Sequence, residues 1–155
     1  MKNIILTTAT FVFASTLNAQ TIKETEVPKA VVTSFQSNFK GAKAKKWEKE
    51  KDGMFEAEFD WNKVETSATF SADGKLNETE QEIKTSELPK GATEYISKNY
   101  AGHKIEEAAR ITGSDGKIAY EAEVKKGKEE MDLIFDANGN FLKKVIETDD
   151  KDKKD

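Results

Sequence analysis

The amino-acid sequence predicts an α+β protein built from two copies of one helix-plus-antiparallel-sheet unit, and three observations carry that expectation. First, the chain repeats itself: Val27-Pro28-Lys29 returns as Leu88-Pro89-Lys90, and Phe70-Ser71-Ala72-Asp73-Gly74 returns as Phe135-Asp136-Ala137-Asn138-Gly139. Repeats at such an offset mark one supersecondary unit used twice. Second, each proline-led segment carries an apolar stripe at helical spacing. Third, the segments that follow alternate apolar and polar residues between turn signals, which is the strand pattern.

The first element lies outside this duplicated part. Lys2, an apolar run from Ile4 to Leu17 and a small residue at Ala19 before Gln20 read as a secretory signal peptide, residues 1–19. The run is too short, and too rich in Thr and Ser, to span a bilayer. Cleavage there leaves 136 residues, enough for one domain with its own core. That domain is expected over residues 20–147, with repeat one at about 27–83 and repeat two at about 88–146. Residues 148–155 form a charged tail that is expected to be disordered.

Each unit opens with a helix. Proline at the first helical position loses no hydrogen bond and has its φ preset. Val31, Phe35 and Phe39 form one stripe, and Ala92, Ile96 and Tyr100 form the other. Gly41 and Gly102 follow at the position of a left-handed C-terminal cap. Gly91 weakens the second helix by roughly 1 kcal/mol relative to Ala.

The strands give a register. With Asn62-Lys63 as a two-residue turn, Trp61 opposes Val64, Phe59 opposes Thr66 and Phe55 opposes Phe70. With Gly127-Lys128 as the turn, Val124 opposes Met131, Ala122 opposes Leu133 and Tyr120 opposes Phe135. Both registers place the apolar residues on one face. Asp73-Gly74 and Asn138-Gly139 mark a further hairpin in each unit, closed either by a two-residue turn or by a bulged three-residue one, of which the bulge would pair Phe135 with Phe141. Strands around Trp47 and from Ile105 to Ile111 complete four per unit.

The runs VPKAVVTSFQSNF, KWEKEKDGMFEAEF and ATFSADGKL, followed by LPKGATEYISKNY, resemble the PepSY-like, beta-lactamase-inhibitor-like family of exported bacterial proteins from about Val27 to Ile146. The resemblance implies one continuous curved sheet with helices on one side, a periplasmic or secreted location, and a role in binding or inhibiting other proteins. No motif lets inhibitory loop residues be carried over, and Ala108 stands where the first unit has Trp47.

Composition narrows the chemistry. The processed chain carries 24 basic against 29 acidic residues, which disfavours nucleic acid and anionic membrane surfaces as partners. Without any cysteine there are no disulfides, thiolate metal sites or cysteine nucleophile. His103 is a lone histidine, expected on a surface loop. Asp136 to Asn140 is similar to a calcium loop, but its glycine comes too early and no bidentate glutamate follows, so a hairpin turn is expected. The pairs Glu56/Glu58 and Glu121/Glu123 share a strand face, each pair roughly 7 Å apart. They are expected to lie on a solvated sheet face, with lysines nearby. Trp47 and Trp61 are expected either in the core or facing a partner.

No catalytic residue, metal ligand set or cofactor motif is read from the chain. The expected function is that of an exported, non-catalytic binding module, an inhibitor or interaction partner of another exported protein or peptide. Its candidate contacts are Trp47, Trp61, Glu56, Glu58, Glu121 and Glu123. The alternative is a small-ligand or cation-binding periplasmic protein that uses the acidic sheet face.

Overall fold

In a computed structural model the described residues are 19–50 and 52–146, so residues 1–18 of the expected signal segment and the charged tail lie outside them. The protein is α+β. Nine strands run as one antiparallel sheet in chain order: β1 (Gln20–Ile22), β2 (Ala44–Lys49), β3 (Phe55–Trp61), β4 (Val64–Phe70), β5 (Leu76–Glu82), β6 (Lys104–Gly113), β7 (Ile118–Lys126), β8 (Glu129–Asp136) and β9 (Phe141–Ile146). Helix α1 (Lys29–Asn38) precedes β2, and α2 (Lys90–Asn99) precedes β6. No helix among the described residues is long and apolar enough to cross a membrane.

Both helices begin immediately after their prolines, and Gly41 and Gly102 take φ of 84° and 85° beyond their ends. A short 3-10 turn precedes each proline, over Glu24–Glu26 and Thr85–Glu87. In each, a lysine N–H donates to the glutamate three residues on: Lys23 to Glu26 and Lys84 to Glu87, both at 2.9 Å. Neither turn is foreseen from the sequence, and nor is the edge strand β1.

The hairpin registers follow the alternation. Phe55 opposes Phe70, Phe59 opposes Thr66 and Trp61 opposes Val64. Tyr120 opposes Phe135, Ala122 opposes Leu133 and Val124 opposes Met131. Asn62 and Lys63 both take positive φ, whereas at Gly127-Lys128 only the glycine does, so the two tight turns belong to different primed types. The later hairpins are bulged, pairing Phe70 with Leu76 and Phe135 with Phe141.

Followed across the sheet, these registers put Phe59, Ala68, Thr79, Arg110, Ala122 and Leu133 on one face. Both helices pack on that face. Phe35 of α1 lies 4.9 Å from Phe59 and 5.4 Å from Trp47 between ring centroids, and Val31, Phe55 and Phe70 complete the cluster. In the other half Ala92 and Ile96 of α2 meet Val124, Leu133 and Phe135, while Tyr95 stacks on Phe141 at 4.7 Å. Fully burying each such side chain contributes about 1.5–3 kcal/mol.

Candidate functional site

The face without helices carries the charge, and strand alternation explains how. Glu56 and Glu58 on β3, Glu78 and Glu80 on β5, and Glu121 and Glu123 on β7 point away from the core residues between them. A flat, solvated face would leave these carboxylates in water. Instead Glu56 and Glu78 are only 9% and 8% exposed. Ile111, Ala119 and Ile134, on the same face, form a small apolar cluster of their own and are fully buried.

The cause is curvature. Lys143 on β9 acts electrostatically on Glu78 of β5, and Asp132 on β8 acts on Glu80 of β5. In a flat sheet β5 and β9 would be about 19 Å apart, four intervals of about 4.8 Å. The sheet therefore curls with its helix-free face inward, giving a concave hollow whose innermost residues, Ile111, Ala119 and Ile134, are sealed from solvent, with the carboxylates around them. Gly113 opposes Glu78 and leaves room beside it.

Burial raises the pKa of these acids. Glu78 is pushed up to about 7 by burial, with Glu80 adding to the rise and Lys143 opposing it. Glu80 is raised by burial and then by Asp132. Glu56 is pushed up to about 8 by burial, against a hydrogen bond from Ser67. Lys143 is lowered by burial, with Glu78 and Glu121 opposing the fall.

A second acidic cluster lies towards the other end of the sheet. Glu48 on β2 stands directly opposite Glu56 on β3, and Glu50 follows two residues after Glu48. One carboxylate oxygen from each lies within 4.8 Å of the others, and among the described residues this is the group able to hold a metal ion. Thr21 Oγ1 donates to Glu48 Oε1 at 3.2 Å. Lys46 Nζ lies 2.9 Å from Glu48 Oε2 and 3.0 Å from Glu58 Oε1.

Several expected contacts fall elsewhere. Trp47 is 4% exposed, packed against Phe35 and Phe70, and offers a partner no surface. Trp61 is half-buried against Phe39. Glu56 is buried rather than solvated, because the curled face and neighbouring carboxylates surround it. Glu58, Glu121 and Glu123 are half-buried on the helix-free face, and four strand intervals separate the β3 pair from the β7 pair. His103, expected on a surface loop, is half-buried against Tyr100 with its Nε2 3.5 Å from Glu129. Asp136 spends its carboxylate on its own turn, accepting from the N–H groups of Asn138 and Asn140 and from the Asn140 amide. Sequence reasoning missed Glu48, Glu50, Glu78, Glu80 and Asp132, while Lys143 was expected only as one of the lysines near the Glu121/Glu123 row. The alternation of β5 was legible as a signal, but the curvature that buries it was not.

A family model described as beta-lactamase-inhibitor-like and PepSY-like matches residues 16–65 and 53–143. Among solved structures, a protein of inferred periplasmic location from Bacteroides eggerthii is 14% identical, over 77% of this chain and 88% of that one, with a TM-score of 0.67. A DUF2874 family protein from Bacteroides uniformis is also 14% identical over the same shares, with a TM-score of 0.66. A BLIP-like protein from Bacteroides fragilis is 23% identical, over 79% and 89%, with a TM-score of 0.61. At these identities the likeness is one of fold. No curated protein matches the chain.

Proposed function

The chain belongs to the beta-lactamase-inhibitor-like, PepSY-like family, and from that premise we propose that it is an exported, non-catalytic binding module that holds a basic segment of another exported protein in the hollow of its sheet. Residues 1–19 are its signal peptide, residues 20–147 one duplicated domain, and residues 148–155 a charged tail. The matched 3-10 turns, proline-led helices and parallel registers of the two halves support the duplication. The inferred periplasmic location of the Bacteroides eggerthii protein and the signal-like segment support export.

One observation carries the binding reading: an apolar floor of Ile111, Ala119 and Ile134 beneath the buried or half-buried acids Glu78, Glu80, Glu121 and Asp132. Such an arrangement suits the cationic head of a lysine or arginine, which meets the half-buried carboxylates while the sealed apolar floor beneath keeps bulk water from them. Taking acids out of water weakens the fold, and a cationic partner offsets that cost. A nucleophile–base pair is missing from this constellation among the described residues, which favours binding over catalysis.

The test is fluorescence anisotropy with labelled arginine-rich and lysine-rich peptides against acidic controls of equal length. Binding that falls with salt and is lost in Glu80→Gln and Asp132→Asn supports the reading. Equal binding of basic and acidic peptides, or none, overturns it.

A further inference from the structure

We propose that Glu48, Glu50 and Glu56 form a binding site for one divalent cation of the calcium class. The site lies on β2, β3 and the turn between them, and the inference stands independently of the hollow over β5–β9. Alternation puts Glu48 and Glu50 on one face, and the β2–β3 register sets Glu56 opposite Glu48. The turn then keeps Glu50 beside them: Glu50 N–H donates to Met54 O at 2.9 Å, and Gly53 N–H donates to Glu50 O at 3.0 Å. Three carboxylates from two strands and a turn thus converge, each at least nine-tenths buried, at 5%, 8% and 9% exposed.

A second observation points to a ligand. Among the described residues, Glu50 Oε1 and Glu56 Oε2 are fully buried and have no hydrogen-bond partner outside the cluster. A buried carboxylate oxygen left unpaired is destabilising, and a cation removes that penalty by direct ligation. Among the described residues, the charges around the cluster do not remove it. Lys46 divides its ammonium between Glu48 and Glu58, while Asp52 and Glu80 add negative charge from the turn and from β5.

The donor set selects the ion. Only oxygen is offered, which suits hard cations rather than zinc or copper. Calcium binds oxygen at about 2.3–2.6 Å, so ligands on opposite sides of it are roughly 4.6–5.2 Å apart. The three oxygens already lie within 4.8 Å of one another, a spread that calcium meets with little movement. Magnesium, at about 2.0–2.1 Å, would draw opposed oxygens to about 4.2 Å and demands stricter octahedral geometry. Water completes the coordination shell.

The rival arrangement is a proton shared among the carboxylates. The purified, metal-free protein is titrated with calcium chloride by calorimetry, and with manganese chloride while amide NMR signals are followed. The expected result is one calcium per chain with a Kd in the range of extracellular calcium modules, about 10⁻⁴–10⁻³ M. Manganese should broaden the amides of residues 48–56 first. Glu50→Gln and Glu56→Gln should each weaken binding at least about tenfold, and Glu94→Gln, at an exposed position on α2, should leave it unchanged. Absence of heat at about 10 mM calcium, well above that range, overturns the inference. So does broadening centred elsewhere, a readout on the wild type that holds even where a variant fails to fold. Unchanged affinity in both folded variants overturns it as well.

Discussion

The carboxylate of Glu78 on β5 lies within the electrostatic reach of the ammonium of Lys143 on β9, although three strands separate them in the hydrogen-bonded order. Together with the full burial of Ile111, Ala119 and Ile134 on a face that carries no helix, that relationship fits a concave helix-free face. It also explains why acids on an alternating strand are buried without a helix above them. Burial then sets their chemistry, because removing a carboxylate from water favours its protonated form.

Stability should fall as pH rises from 5 to 8 in calcium-free buffer. Glu78 has a folded pKa of about 7, above its ordinary value of 4.5. Between these values the folded state holds the proton that the unfolded state has lost, so the stabilising contribution is fully present below about pH 4.5 and gone above about pH 7. Glu80 on the same strand pushes in the same direction, Lys143 opposes it, and the facing positions Thr69 and Gly113 carry no charge. Denaturant unfolding across this range should lose about 1–3 kcal/mol, and Glu78→Gln should flatten the slope. A profile that rises with pH in both proteins would refute the burial of Glu78.

Phe59→Ala should destabilise by about 3–5 kcal/mol, while Glu58→Ala stays within about 0.5–1 kcal/mol. Phe59 is fully buried between Phe35 and Phe39 of the α1 segment, at 4.9 and 4.6 Å. Glu58, its neighbour in the chain, faces the other way and holds a half-exposed pair with Lys46. Chemical denaturation of the two variants checks the face assignment directly, and comparable losses would contradict the register.

The strand registers were legible because side-chain direction has a period of two, so the apolar residues of a hairpin admit one pairing that buries them all. The same reasoning favoured the bulge that pairs Phe135 with Phe141 but left a two-residue turn open, because either turn fits the Asn138-Gly139 signal. What alternation cannot encode is how far a sheet curls. Glu121 reads as solvated and Glu78 passes unread, because nothing local to their strands announces Asp132 across the hollow or the reach of Lys143 to β5. Glu50 was hidden differently: it lies beyond the end of β2, where a turn rather than strand periodicity decides its direction. Trp47 offered both readings until the position of α1 placed Phe35 against it.

Gly139→Ala should cost about 2–4 kcal/mol, more than a typical surface change. Its φ is 83°, and an added Cβ would lie 2.6 Å from the backbone nitrogen of Ala92 and 2.9 Å from Cα of Gly91. The first α2 turn therefore rests directly on the β8–β9 hairpin, which gives Gly91 a packing reason despite its low helix propensity. Gly74, at φ 89°, makes the equivalent contact with α1, since a Cβ added there would lie 2.6 Å from Ala30 O. Thermal unfolding of Gly116→Ala supplies the control, since its Cβ would meet nothing within 4 Å while its φ of 77° imposes the same backbone strain. Equal losses at Gly139 and Gly116 would assign the whole effect to strain and none to packing.

Glu80→Gln should stabilise the protein at pH 8 and weaken its hold on basic peptides. Burial and the nearby Asp132 raise the pKa of Glu80, so ionising it in the folded protein is unfavourable. Glutamine keeps the shape and carries no charge to desolvate, and the stability gained should be about 1 kcal/mol or more. A purely structural glutamate gives only that gain. One that serves a cationic partner also loses affinity when neutralised, the trade between stability and function expected of buried charge at a binding site. The two effects are separable in one set of samples, by thermal unfolding and by peptide anisotropy at the same pH. A gain in stability with unchanged peptide affinity would leave the acids as features of the fold and move the binding surface away from the hollow.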